Sequence, residues 1–343
     1  MRKGHRVNKP FRSVILLAAC VPCLHASVNG TVVNRTTGKP QAGVNVMLVK
    51  PGQQGMQTLG TATTDASGHF VFENDQPGGG PQLLQATYKE VNYNKLLTPN
   101  VPTSNVELDV YEATQSPAVA SITQRMIVLS PTSSQVGVEE TVFVRNQTNT
   151  TYSNPDLGGL RFYLPPAANG QVRVNVQGPQ GMPLPRAAEK TAEKDVFKVN
   201  FPIKPGDTEF EVSYVLPVGS PFTFRGRVVS VKGMPAGPLR LVAPAGVTLS
   251  GNDIQQIGTE PKTQATIYNV TAPADFAVDI AGTGSLGGEN TNSEDDSDSP
   301  QVREAPPRVY THLGWLVLLG FSVLAVGLVI LFRSSPVRSP YGK

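Results

Sequence analysis

"TTDASGHFVF", Thr63–Phe72, puts an Asp, a Ser and a His within five residues, with a Gly between the last two. The cluster invites a metal or catalytic reading, yet turn chemistry accounts for every member. An Asp side chain accepts a hydrogen bond from the backbone two residues on, Ser supports a turn, and Gly supplies a positive φ. Asp65, Ser67 and Gly68 therefore reverse the chain, and Phe70 and Phe72, two apart, share one face of the returning strand. His69 and Val71 point to the other face. His69 is expected to be a half-exposed strand residue and not a ligand.

The same period-two rhythm runs outward from this hairpin. "VNVMLV" and "NVELDVY" flank it, and "ETVFVRN", "LRFYL", "VRVNV", "FKVNF", "FEVSYVL", "IYNV" and "FAVDI" follow. In "FKVNF" Phe197, Val199 and Phe201 are expected on one face, and in "FEVSYVL" so are Phe210, Val212, Tyr214 and Leu216. Alternation broken by Gly, Pro and Asn argues for an all-β protein of antiparallel sandwiches with one wet face per sheet. "RAAEKTAEKD", Arg186 to Asp195, reads as a short polar helix or an exposed loop.

Periodicity lapses at "EATQSPAVAS", Glu112 to Ser121, which sets a boundary between residues 27–112 and a second region, residues 113–282. That region is one large sandwich or two small ones cut at "PVGSP", Pro217 to Pro221. Two or three sandwich units are expected in all. From residue 283 to 311 the chain is acidic and rich in Gly, Ser and Asn, and a stretch so poor in apolar residues reads as a flexible stalk.

The hairpin also carries a resemblance. Gly30 opens the first strand of "VNGTVVNRTTGKPQAGVNVMLV", Gly38, Lys39 and Pro40 make the turn, and Gly43-Val44-Asn45-Val46 starts the next strand. With Asp65, Gly68, Phe70 and Phe72 these resemble the carboxypeptidase regulatory-like domain, while "QPGGG" with the distant Tyr88 matches its last motif only loosely. The resemblance implies a prealbumin-like β-sandwich, also classed as a carbohydrate-binding-like fold, for residues 27–112. It implies no activity, because such domains are appended to unrelated proteins.

The chain ends set the topology. Eight of the 29 basic residues lie in residues 1–26 and 333–343, which hold no acid, leaving 21 against 26 acidic residues between them. The net positive charge thus belongs to the ends and gives the body no case for nucleic acid. Basic residues up to Arg12 followed by "SVILLAACVPCLHA" read as a signal peptide, residues 1–26, with cleavage after Ala26. "LAAC" alternatively makes Cys20 a lipidated N-terminus. Leu313 to Phe332 is free of charge and long enough to cross a bilayer, giving a transmembrane helix at residues 312–332. The cationic tail, residues 333–343, then lies in the cytoplasm, with residues 27–311 outside. The lipobox-like motif and the short basic tail point to a bacterial cytoplasmic membrane and a periplasm-facing body.

Catalysis has little to work with. The exported part has one histidine, His69, and no cysteine. A nucleophile–histidine triad or a histidine-based zinc site asks for more. Glu139 and Glu140 are adjacent in a strand and point to opposite faces, so they make no carboxylate pair. No enzyme, cofactor or metal is expected. The reading is a non-catalytic interaction or binding module, an accessory subunit of a membrane complex with a protein partner. Its layout is similar to one subunit of the ER membrane-protein insertion complex, from which the second large region departs. The alternative is an envelope-glycan binder, with Tyr88 and Tyr93 as stacking faces and Asn92 and Asn94 as polar partners. A carboxylate-based hydrolase comes last. Five N-x-S/T sequons begin at Asn29, Asn34, Asn146, Asn149 and Asn269.

Overall fold

The computed structural model describes residues 28–286, except 53–54, 73–79, 100–101, 180, 219–221 and 273. The signal segment with Cys20, the acidic stalk beyond Leu286, the apolar span at 312–332 and the basic tail lie outside the described residues. Among the described residues no helix is long and apolar enough to cross a membrane. They form strands, turns and two short 3-10 segments, Pro117–Val119 and Pro166–Ala168.

In the first sandwich the strand Val28–Asn34 lies antiparallel to His69–Phe72, with Gly30 opposite Phe70, and parallel to Val106–Val110. The facing sheet runs in the order Gly55–Thr63, Asn45–Gly52, Gln82–Tyr88, Val91–Leu97. Val32, Leu48, Phe70, Phe72, Leu84 and Leu108 fill the space between. Each large side chain taken from water there contributes about 1.5–3 kcal/mol. Phe70 and Phe72 meet edge to face with centroids 5.9 Å apart.

The opening turn is built as its residues demand. Asp65 Oδ1 accepts from the Ser67 N–H (2.8 Å), the Ser67 hydroxyl (2.7 Å) and the His69 N–H (2.9 Å). Gly68 has φ +75°, and the backbone bonds Gly68 N–H to Asp65 O and Asp65 N–H to His69 O close the hairpin. The Ser67 and His69 donors hold the Asp65 carboxyl below its usual range. His69 is half-exposed on the strand.

The second sandwich has one hydrophobic core, continuous from Ala120 to Val278. Among the described residues its large sheet has eight strands. Three of twelve residues each, Ala120–Pro131, Gln135–Asn146 and Gly206–Pro217, occupy its middle. Leu239–Ala243 joins the same sheet by parallel pairing with Ala120–Pro131. Strands from both sides of Pro217–Pro221 thus share one sheet and one core. Two three-stranded sheets, Leu160–Tyr163 with Val196–Val199 and Ala188–Lys190, and Phe222–Arg227 with Asp275–Gly282 and Val247–Ser250, contribute to that core.

Phe210, Val212, Tyr214 and Leu216 are buried in alternation as expected. In "FKVNF" Val199 and Phe201 are buried and Phe197 packs half-buried against the same core, as expected; Val196, which opens the strand Val196–Val199, is buried as well. "RAAEKTAEKD" is neither helix nor plain loop. Arg186 ends one exposed strand, Leu184–Arg186, and Ala188–Lys190 is another, pairing with Val196–Val199.

Candidate functional site: the seam between the sandwiches

The segment after the first sandwich is zipped onto the second. Ala113–Thr114 pairs in parallel with Thr151–Tyr152. Thr151 N–H donates to Glu112 O (2.8 Å), and Ser153 N–H to Thr114 O (2.9 Å). Tyr152 is fully buried, exchanges backbone bonds with Ile203, and donates its hydroxyl to Gly158 O at 3.1 Å.

The side chains of the seam converge on Glu112. Its carboxylate accepts the Tyr88 hydroxyl at 2.5 Å and Asn34 Nδ2 at 2.8 Å. These bonds, the Tyr88 one foremost, keep Glu112 below the usual carboxylate range. Burial, reinforced by Glu112, pushes the Tyr88 phenol up to about 12. At neutral pH the pair is a phenol donor on a carboxylate acceptor, a clamp and not an acid–base couple. The Glu112 N–H donates to Thr36 Oγ1, and the Thr36 hydroxyl donates across the seam to Asn149 O.

Asn34 is 1% exposed and makes the clamp possible. Its Oδ1 accepts the Thr36 and Thr37 N–H groups, leaving Nδ2 for Glu112 and Gln41. Asn146, 2% exposed, does the same in the second sandwich, accepting the Thr148 N–H and hydroxyl and donating to Thr150 O and Ile203 O. Two of the five sequons are therefore buried Asx turns, in which the Asn oxygen caps the backbone two residues on. Read as sequons, they concealed this role. Their position, each at the end of an alternating strand, is the signal that carries it. Asn149 is exposed at the seam, and Asn29 and Asn269 are half-exposed.

The expected glycan platform does not form. Tyr93 is 3% exposed, its hydroxyl within 3.1 Å of Tyr111 O and 2.9 Å of Thr151 Oγ1 across the seam. A ring sealed in this way presents no face to a sugar. Tyr88 is half-exposed with its hydroxyl committed to Glu112, while Asn92 and Asn94 are exposed on the other face of the sheet. Lys204 Nζ stands 5.1 Å from the Tyr93 ring centroid, and burial, aided by the Arg186 charge, lowers its amine to about 8.

Elsewhere, Glu139 is exposed and Glu140 buried, on opposite faces as their adjacency requires. Glu140 forms an ion pair with Arg125, and both are almost fully buried. Arg125 also donates to Val229 O and to Arg161 O, tying the large sheet to the elements opposite. On the outer face of the large sheet an open groove of about 560 Å³ is lined by Glu139, Arg173, Ser213 and Val215 among others. Among the described residues no group of three His, Cys, Asp or Glu side chains is placed to hold a metal ion.

Residues 27–111 match the carboxypeptidase regulatory-like domain. The match covers the first sandwich, including the Asp65 turn and the pairing of Gly30 with Phe70. No curated protein matches the chain. Among solved structures, an M1 zinc metallopeptidase from Deinococcus radiodurans and a point mutant of it align at 13% identity and a TM-score of 0.26. Each alignment covers 47% of this chain and 42% of the metallopeptidase, so the chain spans less than half of that enzyme's length. The matched domain is joined to the second sandwich through the paired Ala113–Thr114 strand and the bonds of Thr151 to Glu112 O and the Tyr93 hydroxyl.

Proposed function

We propose that the chain is a non-catalytic interaction module, anchored by its C-terminal apolar span with its body outside the cytoplasmic membrane, and that it serves a membrane complex as an accessory subunit. The observation that carries this reading is the seam. A linker paired as a strand, with Glu112 and Tyr93 bonded on both sides of it, holds two sandwiches as one presenting surface. A regulatory-like domain supports an interaction role, because its core and its turn are structural throughout.

The test is purification of the tagged full chain from native membranes in mild detergent, with and without prior crosslinking. A partner recovered in constant ratio is the expected outcome, and it should be lost when the seam is loosened by Tyr88→Phe combined with Glu112→Ala. Recovery of the bait alone under both conditions sinks the reading. Glycan binding is the second reading, and one observation favours it: Asn92 and Asn94 stand on an exposed sheet face without charge.

A further inference from the structure

The outward face of the four-stranded sheet in the first sandwich is a grid set by strand register. Thr63, Asn45, Thr87 and Asn92 stand in one row, all exposed. The next row places Thr61, Gln85 and Asn94 around Met47. The third has Thr58, the buried Val49, and then an apolar pair, half-exposed Leu83 and Leu96, the last 50% exposed. No position of the grid carries an ionisable side chain. The Thr87 hydroxyl donates to Asn92 Oδ1 at 2.8 Å, so these side chains already act as a linked donor–acceptor layer.

The chemistry narrows the occupant. Nucleic acid and anionic lipid need cations, and the grid has none. Protein interfaces centre on Trp, Tyr or Arg anchors, and those are absent too. A second copy needs more surface. Three interstrand spacings of ~4.8 Å and four residue steps of ~3.3 Å make on the order of 400 Å² with side-chain margins, against ~800 Å² per partner in a standard stable interface. An added peptide strand needs free backbone groups, which lie at sheet edges and not on faces. Thr, Asn and Gln side chains each both donate and accept, as a sugar hydroxyl does, and the Leu83–Leu96 ridge can lie against C–H surface.

We propose that this face binds an uncharged polysaccharide chain lying across the strands, gripped by Asn45, Gln85, Asn92 and Asn94. The proposal rests on the glycan reading and moves its site from the Tyr88–Tyr93 side of the strand to the opposite face. The test runs the full chain in detergent through native gels cast with dextran, hydroxyethyl cellulose or glucomannan, with polygalacturonate as the anionic comparison. Retardation by at least one neutral polymer is expected. Gln85→Ala with Asn94→Ala should weaken it about tenfold, the loss of roughly two hydrogen bonds, while Glu139→Gln on the second sandwich leaves it unchanged. Should the double variant melt early, Thr61→Ala at an exposed position takes its place with the same expected direction. Absence of retardation on all three neutral polymers overturns the proposal, as does retardation that ignores the variants or is as strong on polygalacturonate. A change of oligomeric mass in the variants also overturns it and assigns the face to a second copy. Partner recovery from membranes is read separately, so either reading can fail alone.

Discussion

The Tyr88 hydroxyl donates a 2.5 Å hydrogen bond to the Glu112 carboxylate, fixing the linker to the sandwich it has just left. Hydrogen bonds to charged groups are worth about 1.5–3 kcal/mol. Tyr88→Phe should therefore lower stability toward the bottom of that range, since Asn34 still serves Glu112. Its folded-state carboxyl is depressed, so its contribution is present above the unfolded carboxyl value and is lost as pH falls through the folded one. Denaturant unfolding at neutral and acidic pH should show a smaller acid-side loss for Tyr88→Phe than for the native chain. Proteolysis between Glu112 and Pro117 should quicken in parallel. An unchanged cleavage rate would mean that the strand pairing at Thr151–Tyr152 alone holds the seam.

The Asp65 turn and the Phe70–Phe72 pair were legible because each rests on contacts within a few residues. The alternation through Leu216 was legible for the same local reason. Tyr93 was not, because the group that seals it, Thr151, belongs to the other sandwich. Asn34 and Asn146 were hidden behind a glycosylation motif that shares its Asn and Thr with a buried turn. The single core of the second sandwich depends on parallel pairing between Arg125–Val128 and Leu239–Val242, a long-range contact with no trace in local pattern.

The Arg125–Glu140 pair sits inside the core of the second sandwich with both side chains almost fully buried. Removing one partner strands the other charge in a region of low dielectric. Glu140→Ala should cost about 3–5 kcal/mol, whereas replacing both residues with Leu or Met of similar volume should come near neutral. Thermal or urea unfolding of the single and double variants measures the difference. Equal destabilisation by the single and the double would show that the Arg125 bonds to Val229 and Arg161 matter more than the ion pair.

Gly30 tests the independence of the two cores. A Cβ there would lie 1.9 Å from Val106 O and 2.8 Å from the Phe70 ring. Relief requires parting Val28–Asn34 from Val106–Val110. Overpacking of this kind costs about 1–3 kcal/mol and more when backbone is the obstacle. Gly30→Ala should lower the melting of the first sandwich while the second, with its own core, keeps its transition. Calorimetry should resolve the two. A joint downward shift would instead show that the seam couples them into one cooperative unit.

Lys204 tests the seam from the second sandwich. Burial, with the Arg186 charge, lowers its amine to about 8 from the 10.5 of an unperturbed lysine. A lowered amine means that the folded state binds fewer protons than the unfolded one between those values, so stability rises with pH there. Below pH 8 the folded chain holds a desolvated charge against the Tyr93 ring, 5.1 Å from its centroid. The Tyr93 phenol, pushed up to about 12, stays protonated through pH 10 and leaves the window clear. Lys204→Met keeps the aliphatic stem and removes the amine. It should raise stability at pH 7 by about 1 kcal/mol, or ~2–4 °C in a body of this size. It should also flatten the rise between pH 8 and 10. Parallel pH profiles for the variant and the native chain would show that Lys204 carries no such penalty at the seam.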